Sequence, residues 1–332
     1  MFRRISGRMY ESVILRSMGR APDFFIVGHP KSGTTALHEM LKRHPQIYMP
    51  DWKEPRYFAS DLPYPIHPQG AGAPPKSYEE YLALFDDAAP DQLAGEGSTA
   101  YIWSRRAPQA IAEAQPAARI IALFREPASF MRSLHLQMLE HRSEDEPSLR
   151  KAIALDDARR EGAEPAHVNP RWPQGVMYAE RVRYVEQLQR FEALFAPEQL
   201  LVLIYDDFRS DNPATMRRVH GFLGVDDDVP FEALEANPTV RRRVRLDDTV
   251  RAVVSGSGPV ARVARGIVKL VPRRLRREAF ETIHSRMMYA SPRQPDQQFM
   301  FELRRRFKPE VQALSEHLGR DLVSLWGYDS LD

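Results

Sequence analysis

Residues 23–44 read DFFIVGHPKSGTTALHEMLKRH, and they carry the strongest fold signal in the chain. After its first residue the run 23–28 is continuously apolar, as in a strand that is buried on both faces of a sheet. A glycine-containing turn follows at 29–33, and the apolar residues of 34–44 recur on one helical face until Pro45 ends the helix. Strand, tight turn and helix in this order predict the first unit of an α/β sheet.

Two more apolar runs, RIIALFR at 119–125 and QLLVLIY at 199–205, predict two further buried strands. Helical periodicity separates or follows these strands, and the segments that we expect to be helices are 127 to about 141, 176–195 and 213–223. Buried strands that alternate with helices predict a central parallel sheet with helices on both faces. We therefore expect a single three-layer α/β domain over residues 1–332.

Four segments lie outside this core pattern. Residues 1–22 mix Arg with Met, Ile and Leu, which predicts a basic amphipathic helix that packs on its own domain or touches an anionic membrane. Residues 142–172 are polar with one predicted short helix. Residues 240–298 form a basic, variable insertion that we expect to cover the cofactor or acceptor site. Residues 299–332 return to an amphipathic helix that closes the domain.

The composition excludes several classes of function. The 332 residues carry 47 basic and 45 acidic side chains, and a net charge of +2 predicts no nucleic-acid partner. The absence of cysteine excludes disulfides, zinc ribbons, thiolate nucleophiles and iron–sulfur clusters. The segment HEMLK at 38–42 lacks the second histidine of a zinc-binding HExxH motif, so we predict no metal.

The apolar runs of the chain are strand-sized, and the N-terminus lacks the apolar core of a signal peptide. These observations predict a cytoplasmic enzyme without a transmembrane segment. A composition rich in Ala, Arg, Pro and Asp indicates a bacterial source, while nothing in the sequence indicates the oligomeric state.

The turn GHPKSGTT at 28–35 has the chemistry of a phosphate cradle of the P-loop type. Backbone N–H groups at a helix N-terminus converge on one spot and carry a partial positive charge, which favours an anion. The lysine adds a full charge and the threonines add hydroxyl donors. The residues that we expect to contact a bound phosphate are Pro30, Lys31, Ser32, Gly33, Thr34 and Thr35.

This loop differs from that of the nucleoside triphosphatases, in which a lysine directly follows the second glycine. Here Thr34 holds that place, and Arg125 rather than a magnesium-binding acid ends the second strand. The pattern favours a nucleotide with a single 5′-phosphate and an adjoining acyl or sulfonyl group. A small-molecule or nucleotide kinase and a non-catalytic nucleotide-binding scaffold remain open as alternatives.

At this point the chain resembles the sulfotransferases that use 3′-phosphoadenosine 5′-phosphosulfate (PAPS). The segment FIVGHPKSGTTAL at 25–37 is similar to their 5′-phosphosulfate-binding loop. The tripeptide REP at 125–127, with Ser133 eight residues after the arginine, is similar to their second motif. In that family the arginine and the serine bind the 3′-phosphate, so the resemblance implies this role for Arg125 and Ser133.

The same resemblance extends to the basic stretch near residue 240. Arg241 and Arg243 fall where the family has a basic loop over the 3′-phosphate and adenine, which implies that they bind the cofactor. In sulfuryl transfer, negative charge grows on the leaving 5′-phosphate oxygen, and Lys31 is the residue that we expect to donate to it.

The segment KEPRYF at 53–58 resembles the KE-x-x-(F/Y)-F segment of heparan-sulfate-type sulfotransferases and their bacterial relatives. In that branch the glutamate is the proposed catalytic base, which implies this role for Glu54. A carboxylate can act so at neutral pH if the site raises its pKa or if proton loss is late. His135, two residues beyond Ser133, remains open as a rival base.

The segment GEGSTAY at 95–101 resembles the family's GEKSPxY segment, which lines the active site. Gly97 stands where a lysine is often found, so that charge is missing or comes from Lys53 or Arg56.

The expected function is transfer of a sulfuryl group from PAPS to a hydroxyl of a small-molecule, glycolipid or glycoside acceptor. The residues that we expect to contact this acceptor are Lys53, Tyr101 and Tyr178.

Overall fold

The fold is that of a computed structural model, which describes residues 19–62, 74–141, 143–161, 177–227, 241–242, 289–290 and 295–331. Several predictions lie outside these residues. They are most of the N-terminal helix at 1–22, most of the insertion at 240–298, and Arg243. For Arg241 the structure describes the backbone alone.

The core is a five-stranded, all-parallel sheet in the order β2-β3-β1-β4-β5. Its strands are β1 Phe24–Ile26, β2 Ile47–Tyr48, β3 Leu93–Gly97, β4 Arg119–Phe124 and β5 Leu200–Ile204. The first strand lies at the centre, where Phe24 is opposite Gly95 on one side and Arg119 on the other. The predicted α/β class with a parallel sheet is confirmed.

Helices cover both faces of this sheet. Among the described residues they are α1 Thr34–Lys42, α2 Tyr78–Leu82, α3 Ala107–Ala114, α4 Pro127–Glu140, α5 Leu149–Ala154, α6 Asp156–Arg160, α7 Tyr184–Glu192, α8 Tyr205–Ser210, α9 Asn212–Leu223, α10 Gln297–His317 and α11 Leu322–Leu325. Successive side chains of a strand point to opposite faces. Phe25 therefore packs in the core that contains α4, α7 and α10, while Phe24 and Ile26 pack in the core that contains α1 and α9. The predicted three layers are present.

The sequence analysis did not predict two of the five strands, β2 and β3. β2 has two residues, and β3 reads LAGEG, so neither shows an apolar run. The single helix predicted at 176–195 is wrong: the described part has a 3₁₀ turn, Ala179–Val182, and then α7. In 142–172 the described residues form two short helices, α5 and α6, where one was predicted.

A short antiparallel pair, β6 Arg241–Arg242 and β7 Tyr289–Ala290, packs against α4. This contact brings the backbone of residue 241 close to α4, the helix that follows Arg125 and contains Ser133. Among the described residues, no helix is both long enough and apolar enough to cross a membrane.

Candidate active site

The phosphate-loop candidate leaves the carboxyl end of β1 and enters α1 through two residues in the left-handed region. Lys31 has φ 63° and Gly33 has φ 89°. A Cβ at Gly33 would lie 2.9 Å from Cδ1 of Phe208, so both the backbone conformation and the space require glycine. Among the described residues no side chain caps the N-terminus of α1, so its first-turn N–H groups are available to an anion.

Ser32 lies in the middle of this loop and is fully buried. Its hydroxyl has no hydrogen-bond partner in the part of the chain that the structure describes. Buried hydroxyls are rarely left without a partner, because the loss costs about 1–3 kcal/mol. An orphaned donor beside open helix amides fits a phosphate group.

Lys31 and Arg125 bring two cations together at the ends of β1 and β4. Arg125 Nη1 donates to the carbonyl oxygen of Lys31 at 2.8 Å, and its guanidinium stacks over the ring of Tyr205 at 4.7 Å. Burial lowers the pKa of Lys31, as does the charge of Arg125, while the carboxylate of Glu140 acts in the opposite direction. Two neighbouring, partly buried cations favour an anionic ligand.

Ser133 is buried on α4, the helix that begins directly after Arg125. Glu126, between these two residues, caps α4 by accepting from the backbone N–H groups of Ala128 and Ser129 at 3.1 and 2.6 Å. Glu126 also accepts a hydrogen bond from the hydroxyl of Tyr328. The acidic residue of the second motif thus anchors the C-terminal segment, a role that sequence reasoning missed because the two residues are 202 positions apart.

Glu54 lies between two cations. Lys53 Nζ donates to Oε1 at 3.1 Å, and Arg56 Nη2 donates to Oε2 at 2.8 Å. Burial acts to raise the pKa of Glu54, but the charges and hydrogen bonds of Lys53 and Arg56 outweigh it and hold the pKa well below its usual range. The site does not raise the pKa of this carboxylate, so of the two conditions for a catalytic base only late proton loss remains.

The backbone around Glu54 is held against β3. Glu54 and Arg56 both have positive φ, 62° and 55°, which costs on the order of 1 kcal/mol each for residues other than glycine. Glu54 N donates to the carbonyl of Gly97 at 3.1 Å, and Arg56 N donates to the hydroxyl of Ser98 at 3.1 Å. The KE-containing and GEGS-containing segments therefore form one unit.

A second carboxylate, Glu96 of the GEGS-containing segment, is fully buried. Its Oε2 accepts from the hydroxyls of Tyr81 at 2.6 Å and Tyr101 at 3.0 Å. Burial raises the pKa of Glu96 to about 7, against the opposing hydrogen bonds of Ser98 and the two tyrosines and with help from the charge of Glu54. Sequence reasoning placed no weight on Glu96, since nothing local signals its burial.

We expect Glu96→Gln to remove a pH dependence of stability. The pKa of Glu96 is higher in the folded protein than its ordinary value of 4.5, so ionisation opposes folding. This cost is absent below pH 4.5 and complete above pH 7. As the pH rises from 5 to 8, the unfolding free energy of the variant should increase by about 2–3 kcal/mol relative to that of the original protein, measured by urea unfolding. The exposed Glu79→Gln is the control, and an equal change in both variants would contradict the expectation.

The space beside Gly97 is closed by His38, which lies one turn into α1. A Cβ at position 97 would be 3.2 Å from Nδ1 of His38. Burial, together with the charges of Lys53 and Lys42, lowers the pKa of His38 to about 4, and its Nδ1 has no hydrogen-bond partner among the described residues. A neutral imidazole therefore borders this glycine, and whether Lys53 or Arg56 supplies the charge of the missing lysine stays a prediction.

Tyr101 and Tyr178 do not lie on an acceptor wall. Both are fully buried, and the hydroxyl of Tyr178 donates to Glu144 at 3.2 Å. The hydroxyl of Tyr101 bonds Glu96. These two tyrosines belong to the core because their ring area is enclosed and their hydroxyls have internal partners. This placement speaks against the expected contact with an acceptor; Lys53, by contrast, is partly exposed beside Glu54.

His135 is held away from the Glu54 unit. Its Nε2 lies 2.8 Å from the carbonyl oxygen of Glu146, and its ring packs edge-on against Tyr178. Burial lowers its pKa. The charges that act on His135 are those of Glu144, Glu146 and Arg159, whereas Glu54 and Lys53 act on His38. This geometry does not support His135 as the base.

A sequence model of the sulfotransferase family matches residues 22–229, more than half of the chain. The chain belongs to the sulfotransferase family. The match contains the phosphate loop, Arg125 and Ser133, and the Glu54 segment.

Curated relatives include sulfotransferases of animal polysaccharides. Human bifunctional heparan sulfate N-deacetylase/N-sulfotransferase 3 is 26% identical over 63% of this chain and 23% of the relative. Mouse carbohydrate sulfotransferase 15 is 25% identical over 61% and 44%. Human heparan sulfate glucosamine 3-O-sulfotransferase 6 is 28% identical over 62% and 53%. The chain thus spans less than two thirds of the length of each of these relatives.

Among solved structures, a sulfotransferase from Alicyclobacillus acidocaldarius matches with a TM-score of 0.56 at 24% identity. The match covers 74% of this chain and 96% of that chain. It supports the sulfotransferase fold.

Proposed function

We propose that this sulfotransferase transfers the sulfuryl group of PAPS to a hydroxyl of a carbohydrate-containing or other small-molecule acceptor. The observation that carries the proposal is the hydrogen bond from Arg125 to the Lys31 carbonyl, which joins the two phosphate-binding candidates. PAPS supplies the sulfuryl group: its bond from sulfur to the 5′-phosphate oxygen breaks while the acceptor oxygen bonds to sulfur and loses its proton.

The residues of the loop fit a 5′-phosphate. Donors come from the first-turn N–H groups of α1 and from the Ser32 hydroxyl, none of which has a side-chain partner within the described part of the chain. Lys31 supplies the charge that stabilises the leaving oxygen. Arg125 and Ser133 would hold the 3′-phosphate, and the approach of β6 to α4 supports a contact from Arg241. Thr34 and Thr35 would donate at the first turn of α1.

On the acceptor side, Glu54 remains the proposed base. Because Lys53 and Arg56 stabilise its anion, Glu54 is a weak base before reaction and accepts the proton late, when the acceptor oxygen has become positive through its bond to sulfur. The same two cations keep the carboxylate oriented. The heparan sulfate and carbohydrate sulfotransferases among the relatives support a sugar hydroxyl as the group that is sulfated.

We expect calorimetric titration to show binding of adenosine 3′,5′-bisphosphate, the product that PAPS leaves behind. Arg125→Ala should weaken this binding by about 10- to 100-fold, since one charge-assisted phosphate contact contributes about 1.5–3 kcal/mol. Arg209→Ala, on the exposed end of α8, is the matched control and should bind like the original protein.

ADP and Mg·ATP serve as competitors in the same titration. Preference for Mg·ATP over the bisphosphate would contradict the proposal and favour a kinase. Binding of the bisphosphate without transfer of the sulfuryl group from PAPS to any of a broad set of sugar acceptors would favour a non-catalytic scaffold.

A further inference from the structure

Helix α7 packs directly behind the proposed donor site. Its first residue, Tyr184, is fully buried, and its hydroxyl donates to the backbone carbonyl of Arg125 at 2.9 Å. Burial raises the pKa of Tyr184 well above its ordinary value, so this phenol stays protonated and keeps its donor. The contact is made where β4 ends, at the residue from which the Arg125 side chain projects.

Gln187, one turn further along α7, is also buried. Its Nε2 donates to the carbonyl oxygens of Glu180 and Arg181 at 3.2 and 3.3 Å, which turns its Oε1 toward the phosphate loop. There Oε1 lies 2.7 Å from Nε2 of His29. Since Oε1 can only accept, His29 carries its proton on Nε2.

His29 is the residue of the loop that receives this support. It is fully buried, and its ring packs against Phe124, Phe130 and Tyr184 at centroid distances of 5.5, 4.7 and 5.0 Å. Burial, chiefly, lowers its pKa to about 3, so the ring is neutral. A neutral ring with one donated hydrogen bond acts as a fixed support for the loop residues that follow it.

These contacts form one network that links the phosphate loop, Arg125 and α7. Arg125 donates to the Lys31 carbonyl, Tyr184 donates to the Arg125 carbonyl, Tyr184 packs on His29, and His29 is bonded to Gln187 on the same helix as Tyr184. The phosphate loop and Arg125 are therefore held relative to each other by buried residues of α7.

We propose that Tyr184 and Gln187 are positioning residues of the donor site. Tyr184 sets the direction of the strand end that presents Arg125 to the 3′-phosphate. Gln187, through His29, sets the loop that holds the 5′-phosphate. The proposal rests on the proposed function, because it assumes that the two phosphates bind at these two places.

The test separates the two phosphates by ligand. Adenosine 3′,5′-bisphosphate uses both subsites, whereas adenosine 5′-monophosphate uses the loop alone. Loss of one neutral hydrogen bond costs about 1 kcal/mol, or about 5-fold in affinity. Tyr184→Phe should therefore weaken the bisphosphate about 5-fold and leave the monophosphate unchanged. Gln187→Leu should weaken both ligands by similar factors.

Tyr48→Phe is the matched control, because its hydroxyl also donates to a backbone carbonyl, that of Leu84 at 3.1 Å, at the far edge strand β2. This control should bind both ligands like the original protein. If Tyr184→Phe binds like Tyr48→Phe, or loses both ligands equally, the positioning role of Tyr184 is wrong. Thermal unfolding followed by circular dichroism shows whether each variant is folded.

The outcomes distinguish this proposal from the proposed function. If the original protein and the Tyr48 control bind no bisphosphate, the proposed function itself fails and the positioning proposal fails with it. If both bind the bisphosphate but Tyr184→Phe does not weaken the bisphosphate more than the monophosphate, only the positioning proposal fails. Tyr184→Phe keeps the packed aromatic ring, so it tests the positioning role of Tyr184 even if Gln187→Leu does not fold.

Discussion

Replacing Lys31 with methionine is expected to slow sulfuryl transfer by about 100- to 1000-fold, the usual loss when one preorganised donor to a developing negative charge is removed. Methionine keeps most of the side-chain length and deletes the ammonium. Affinity for adenosine 3′,5′-bisphosphate should fall far less, because Arg125 and the backbone N–H groups of α1 remain. The measurement is single-turnover conversion of labelled PAPS, with heparan-type oligosaccharides as the first acceptors.

Lys42→Met is the control for this experiment. Lys42 ends α1, eleven residues after Lys31, and pairs with the exposed Asp51. Its loss should leave both the transfer rate and bisphosphate affinity unchanged. A Lys31→Met protein that transferred sulfuryl groups at the original rate would exclude Lys31 as the residue that stabilises the leaving oxygen.

The second large effect is on folding: Gly28→Ala should lower the unfolding free energy by about 3 kcal/mol or more. Gly28 lies two residues after the end of β1, and its backbone packs against Leu123 of β4. A Cβ there would lie 2.7 Å from Cβ and 2.8 Å from Cα of Leu123, and closer still to the Leu123 backbone nitrogen. Two central strands would have to separate, since no flexible side chain can move aside. Urea unfolding at neutral pH measures the loss.

Gly221→Ala is the matched control for this substitution. Gly221 lies inside α9, and no atom of the described residues lies within 4 Å of the position that its Cβ would take. Alanine is favoured over glycine in a helix by up to about 1 kcal/mol, so this variant should be slightly more stable than the original protein. If Gly28→Ala lost less than about 1 kcal/mol, the close approach of β1 and β4 would not be the reason for this glycine.

The candidates for the donor site could be named from sequence because their signals are local. The turn from 28 to 35 carries its glycines, lysine and threonines within a few residues of a strand and a helix, and the structure places Lys31 and Arg125 in contact. Ser133 was assigned by the family resemblance from its spacing after Arg125, and its phosphate contact stays a prediction. The support from Tyr184 and Gln187 could not be predicted, because neither residue is near the loop in the chain.

The acceptor side was predicted less well. The segment around Glu54 was recognised by resemblance, but its ionisation depends on how closely Lys53 and Arg56 approach, which spacing alone does not determine. Tyr101 and Tyr178 were expected to contact the acceptor, whereas both are buried and their hydroxyls bond Glu96 on β3 and Glu144. His38 and Gly97 meet only because α1 lies over the end of β3.

Local sequence patterns were enough to predict the α/β class, the three strands with apolar runs, and the candidate phosphate loop, since these depend on residues that are neighbours in the chain. Four features became visible only in the folded chain: the two short strands, the low pKa of Glu54, the raised pKa of Glu96, and the contacts of α7 with His29 and Arg125. Each of these depends on desolvation or hydrogen bonds between residues that are distant in the chain, and folding alone brings such residues together.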